Sequence, residues 1–115
     1  METEDEALAR AVELILQAKT EEALELLSKH YKIATPRLKI GLPKKCRRAL
    51  GCYTPRDKTI HLRSSSEYTN PFIVLHEYYH HLRYRLGTHR GTERHADQYA
   101  LKAINAWKKL YATEA

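Results

Sequence analysis

Asn70-Pro71-Phe72-Ile73-Val74-Leu75-His76-Glu77-Tyr78-Tyr79-His80-His81-Leu82-Arg83-Tyr84-Arg85-Leu86-Gly87 decides the reading of this chain. The stretch opens with the chemistry of a helix start, an asparagine able to cap free N–H groups followed by proline in the first turn. Gly87 supplies the usual terminal glycine about four and a half turns later, so a helix is expected from Asn70 to Leu86. His76 and His80 then stand one turn apart on nearly one face, and both imidazoles can reach a single ion at ~2.0–2.1 Å. Glu77 lies ~100° round the helix, near such an ion without having to bind it. That position suits a general base acting on water at the ion. Zinc fits the donors because it accepts nitrogen and oxygen ligands, needs no redox partner and lowers the pKa of its water towards ~7.

The stretch Thr92-Glu93-Arg94-His95-Ala96-Asp97-Gln98-Tyr99-Ala100 reads as the start of a second helix, with Thr92 as its cap. Ala96, Ala100, Ala103, Ile104 and Trp107 make one continuous face, and Lys108 and Lys109 suit the negative end of the dipole. Glu93 and Asp97 form another i,i+4 pair, and the small alanines on their face would let this helix approach the first closely. Glu93 could supply a third ligand and leave a fourth position for water. Asp97 could accept the spare ring N–H of a ligating histidine and so fix its tautomer. His95, ~200° round from Glu93, should face away. His81, ~100° from His80, is expected at the surface or beside the site without binding. His61, in a strand, is expected as an ordinary edge residue. Tyr78, Tyr79 and Tyr84 are expected in core or interface positions, and none is singled out as an electrophile.

Upstream, Thr3 with Glu6 makes a capping-box pattern, and Ala7, Leu8, Ala11, Val12, Leu14 and Ile15 give a broad apolar stripe. Thr20 is expected to cap a second helix bearing Ala23, Leu24, Leu27 and Tyr31. From Thr35 to Arg63, Pro36, Gly41, Pro43, Gly51 and Pro55 break any helix. Arg37-Leu38-Lys39-Ile40 alternates with period two. The segments 50–53 and 59–63 flank the turn-rich Pro55-Arg56-Asp57-Lys58 and read as a hairpin. A small sheet of three strands is expected, followed by a loop, Ser64-Ser65-Ser66-Glu67.

At 115 residues, 43% hydrophobic and 30% charged, the chain reads as one globular domain spanning 1–115. Its parts are a helical 1–32, a small sheet over 35–63 and metal-binding helices over 70–111. No apolar run approaches the ~20 residues of a membrane span. The acidic opening, Met1-Glu2-Thr3-Glu4-Asp5-Glu6, is unlike a signal peptide, so a cytoplasmic location is expected. Cys46 and Cys52 do not form a Cys-x-x-Cys knuckle and are expected as ordinary thiols. The net charge of +6 is concentrated in Lys44-Lys45-Cys46-Arg47-Arg48 and in Arg83, Arg85, Arg90 and Arg94. Such patches attract phosphate, but no nucleic-acid motif accompanies them, and a solvated basic face is the preferred reading.

His76-Glu77-Tyr78-Tyr79-His80 followed by Glu93-x-x-Ala96-Asp97-x-Tyr99-Ala100 resembles the paired HExxH and ExxxD motifs of gluzincin metallopeptidases, and most of all the minigluzincins. The resemblance covers roughly Leu50 to Trp107. It implies an α+β, minimal zincin-type domain: N-terminal helices, a small three-stranded sheet, an active-site helix and a C-terminal glutamate helix. It implies one zinc per chain held by His76, His80 and Glu93, with Glu77 as base and Asp97 supporting His76. It further implies that the strand around Ile60, His61 and Leu62 forms a rim where an extended peptide or protein substrate docks by strand addition. Latent members, in which the C-terminal segment obstructs the cleft, are also implied. Two alternatives stay open: a non-catalytic zinc-binding domain that recognises peptides or regulates, and a SprT-like protease acting on DNA-bound protein. The chain resembles the latter if His89 rather than Glu93 is the third ligand. The sequence does not fix the oligomeric state.

Overall fold

The computed structural model describes residues 2–86 and 93–111. Among these, five helices and a small three-stranded mixed sheet form an α+β unit. Helix α1, Glu4–Leu16, starts with the expected capping box: Glu6 N donates to Thr3 Oγ1 at 3.1 Å, and Thr3 N to Glu6 Oε1 at 2.9 Å. It buries Ala7, Leu8, Ala11, Val12 and Ile15 of the expected stripe, and Ala9 as well. Helix α2, Thr20–Tyr31, is entered from Lys19, and Thr20 is not its cap. The Thr20 hydroxyl instead donates 2.6 Å to the Tyr68 carbonyl, a partner 48 positions away, and this long-range bond keeps it out of the capping position. Buried Ala23, Leu24 and Leu27 turn α2 onto α1.

Strands β1 (Arg37–Ile40), β2 (Gly51–Thr54) and β3 (Thr59–Leu62) fall close to their expected places. β2 and β3 form the expected antiparallel hairpin, with Tyr53 opposite Ile60. β1 pairs with β3 in parallel, Leu38 opposite Ile60, so the order is β1-β3-β2. β3 is therefore the middle strand, with Ile60 and Leu62 buried.

Between β1 and β2 a 3-10 turn, Lys44–Cys46, reverses the chain. It brings Cys46 and Cys52 to a Cα separation of 6.2 Å, where they are joined as a disulfide. This corrects the expectation of two ordinary thiols: an intervening turn makes spatial separation independent of sequence spacing. A second correction follows β3. Residues Ser65–Tyr68 form a short helix, α3, where a loop was expected. Ser64 caps it by accepting from Ser66 N, and donates its own hydroxyl proton to Glu67 Oε1 at 2.6 Å.

Helix α4, Pro71–Arg85, is capped as expected, Asn70 Oδ1 accepting from Phe72 N at 3.0 Å and Ile73 N at 3.3 Å. Leu86 follows its last turn; Gly87, expected to end it, and Thr92, expected to cap the next helix, lie outside the described residues. Helix α5, Glu93–Tyr111, packs against both α1 and α4 through buried Ala96, Tyr99, Ala100 and Ala103. Tyr78 reaches from α4 through the core to share a 3.0 Å hydrogen bond with Ser28 of α2. Trp107 Nε1 donates to Glu13 at 2.8 Å, securing the far end of α5 to α1. No helix among the described residues is long and apolar enough to cross a membrane.

Candidate metal centre

The site forms where α5 begins beside the middle of α4. Small side chains at Ala96 and Ala100 allow the close approach, and the first turn of α5 then sits over His76 and His80. Glu93 spans the pair: its Oε2 is 2.9 Å from His76 Nε2 and its Oε1 is 2.9 Å from His80 Nε2. One turn along α5, Asp97 Oδ1 lies 2.8 Å from His76 Nδ1. Donor atoms of His76, His80 and Glu93 all fall within 4.8 Å of one another, a group that could hold a metal ion.

The chemistry of these donors fits a cation. Asp97 can only accept, so His76 Nδ1 carries the proton that binds it. Nε2 is left facing the Glu93 carboxylate, where the contact needs either a second ring proton or a metal ion accepting the Nε2 lone pair. Burial is the largest influence on His80 and lowers its pKa, which favours the neutral, ligating form of that ring.

Glu77 is the buried acid of the site, with Oε2 3.9 Å from His76 Nε2. Burial pushes its pKa up to about 7, the nearby His76 ring opposing the rise and the negative charge of Glu93 adding to it. A carboxyl held there exchanges protons readily near neutral pH, as a general base and acid must. Gly51, marked by the sequence only as a helix breaker, makes room for it. A Cβ on Gly51 would meet Glu77 Cγ at 3.1 Å and Ile73 Cγ2 at 3.2 Å, so glycine lets β2 run against this carboxyl side chain. That close approach is set by tertiary packing and left no signal beyond an isolated glycine in a strand.

A cleft of about 500 Å3 opens over Glu77, His80 and Glu93, bounded by Gly51 and Tyr53 of β2, by Lys45, and by Arg83 and Tyr84 of α4. Ile60, His61 and Leu62 do not bound it. Because β3 is paired on both sides, it offers no free edge for strand addition, and that expectation is corrected. His61 lies 3.1 Å from Thr54 Oγ1 on the neighbouring strand. The edge strand beside the cleft is β2.

The other histidines separate clearly. His81, expected at the surface or beside the site, is fully buried. Its Nε2 donates to the Ala34 carbonyl at 2.8 Å, leaving Nδ1 to accept from the Tyr53 hydroxyl at 2.7 Å. His95 is exposed, and His89 lies outside the described residues. Tyr79 packs against Tyr99, and Tyr84 is exposed at the cleft. Residues 108–111 continue α5, and none of them lines the cleft.

Compared with protein-family models, with curated proteins and with solved structures, the chain matches none.

Proposed function

We propose that this chain is a zinc metallopeptidase that hydrolyses peptide bonds in an extended polypeptide. The observation that carries the reading is the convergence of His76, His80 and Glu93 on one point, with Glu77 buried beside it. Zinc is the metal this donor set suits, two imidazole nitrogens and one carboxylate oxygen with a position to spare. Bound there, zinc would supply Lewis acidity toward a carbonyl oxygen and toward water. The remaining work falls to the chain. Asp97 holds the His76 ring and its tautomer through Nδ1. Glu77 takes a proton from the attacking water and returns it to the leaving amine. An extended substrate would lie along the edge strand β2, which lines the cleft, with its backbone pairing as an added strand.

A fluorogenic peptide assay with Glu77→Gln tests the role of the base. The amide keeps the size of the side chain and cannot take the proton, so hydrolysis should fall at least ~100-fold while zinc content stays at the parent level. Cleavage by this variant at the parent rate would remove Glu77 from the mechanism.

A further inference from the structure

Arg83 is seven residues after His76 and three after His80. On α4 it therefore leaves from nearly the same face as the two imidazoles, one turn beyond His80. It lines the cleft from the helix side, and Lys45 lines it from the 3-10 turn beside the sheet. The guanidinium carbon lies 5.8 Å from the centre of the Tyr79 ring, which is itself backed by Tyr99. A flat aromatic support holds the fork in place.

One donor of that fork is unmet. Arg83 Nε is buried without a hydrogen-bond partner, and among the described residues it is the one buried side-chain nitrogen or oxygen so placed. Nε has no accessible surface of its own, so a ligand in the cleft would meet the guanidinium through its terminal amino groups, and Nε only after the side chain shifts. The charges around it agree. Apart from Glu77 and Glu93, the carboxylates of the site, the Asp, Glu, Lys and Arg residues bounding the cleft are Lys45 and Arg83. Beyond the cleft, residues 35–63 hold nine of the 20 Lys and Arg and one of the 14 acidic residues. The remaining 11 basic residues face 13 acidic ones, so the net positive charge of the chain belongs to the sheet segment beside the cleft.

We propose that Arg83, with Lys45, forms a carboxylate-recognising subsite, so that the cleft selects peptides with an acidic side chain or a free C-terminus close to the bond presented to Glu77. The proposal rests on the reading of the cleft as a peptide site. A planar guanidinium matches a carboxylate with two parallel hydrogen bonds, which a neutral side chain cannot offer. A side chain or chain end fits a space of about 500 Å3, whereas a nucleic-acid duplex needs a broad exposed surface.

The test measures binding of fluorescent peptides of one length to the Glu77→Gln protein at low salt, zinc-loaded and metal-free. The three peptides are neutral with an amidated end, glutamate-bearing with an amidated end, and neutral with a free C-terminus. At least one carboxylate peptide should bind about 10-fold tighter than the neutral amide, and the two carboxylate arms distinguish side chain from chain end. The preference should persist without metal, vanish in Arg83→Met and survive in part in Arg83→Lys, which keeps charge but loses the fork. Equal binding of all three peptides would overturn the proposal. So would a preference seen only with zinc and untouched by Arg83→Met, because the metal itself would then be holding the carboxylate. Tight duplex DNA binding with a steep salt dependence, alongside equal peptide binding, would assign the basic segment to nucleic acid and overturn it as well. A carboxylate preference in a protein that hydrolyses nothing would leave the subsite standing and remove the peptidase reading.

Discussion

His80 and His81 are neighbours on one helix, and their surroundings have opposite chemistry. His80 faces α5, where its ring meets the Glu93 carboxylate. His81 faces the sheet side, where the Ala34 carbonyl and the Tyr53 hydroxyl use both of its ring nitrogens. Burial is the largest influence on each and lowers the pKa of both. Both rings are thus biased toward the neutral form, but only one has a lone pair directed toward a shared point. The seam between α4 and α5 brings together a group that could hold a metal ion, and the seam around His81 satisfies both ring nitrogens within the chain. Neutral histidine alone is therefore no sign of a metal site. What distinguishes the two is whether the second ring nitrogen is already spent.

The largest effect is expected at Glu93. Glu93→Ala should weaken zinc binding more than ~100-fold, because it would remove one of the three proposed donors. Competition with a chelator of known affinity measures this, and His95→Ala serves as a control with parent-like affinity. Parent-like affinity in Glu93→Ala, with loss in His89→Ala, would transfer the third-ligand role and point to the SprT-like alternative.

Glu77 yields a pH effect opposite in sign to that of His81, whose lowered pKa costs stability as pH falls. The folded pKa of Glu77, about 7, lies above its ordinary value of 4.5. Between those values the folded protein binds more protons than the unfolded chain, so this group's stabilising contribution is lost as pH rises through that window. The metal-free protein should lose on the order of 3 kcal/mol from this source. Urea denaturation of parent and Glu77→Gln at pH 5 and pH 8 isolates it, the parent falling more steeply. Parallel profiles would contradict the burial argument.

His81→Phe probes the cohesive seam. It keeps a ring but leaves the Ala34 carbonyl and Tyr53 hydroxyl without their partner, at a cost of about 1–3 kcal/mol in urea denaturation. Zinc stoichiometry should not change. Loss of zinc from a folded His81→Phe protein would mean that the two seams are not separable. The smallest effect is expected at Asp97, whose Oδ1 contacts His76 Nδ1 from outside the donor group. Asp97→Ala should reduce zinc affinity by ~10–100-fold, less than the loss in Glu93→Ala.

Local chemistry made the ligand seam legible. Asn70-Pro71 marked the start of α4, and the four-residue spacings of His76 with His80 and Glu93 with Asp97 are properties of a helix alone. Alanines at 96 and 100 then indicated which helices could meet closely. The cohesive seam depends on partners distant in sequence. His81 finds Ala34, 47 positions away, and no periodicity points there. The same holds for Thr20 with Tyr68, and for β1, which crosses past β2 to pair with β3 and so makes β3 the middle strand. Pairing partners are decided by tertiary packing, and strand signals in sequence do not number the edges. The Cys46–Cys52 bond likewise needed the intervening turn to be known. Helix α3 is different: Ser64 and Glu67 carry the spacing of a capping box in plain sight, though Ser64 accepts from Ser66 N and donates to Glu67 Oε1, and the run of serines hid it.

The central claim is that α4 and α5 together hold one metal ion. Elemental analysis of the purified protein, before and after dialysis against chelator and after reloading, tests it most directly. About one zinc per chain should be found, lost with chelator, regained with zinc, and absent when His76 and His80 are both replaced by alanine. A folded parent protein that takes up no zinc, or a double variant that still takes up one, would contradict it.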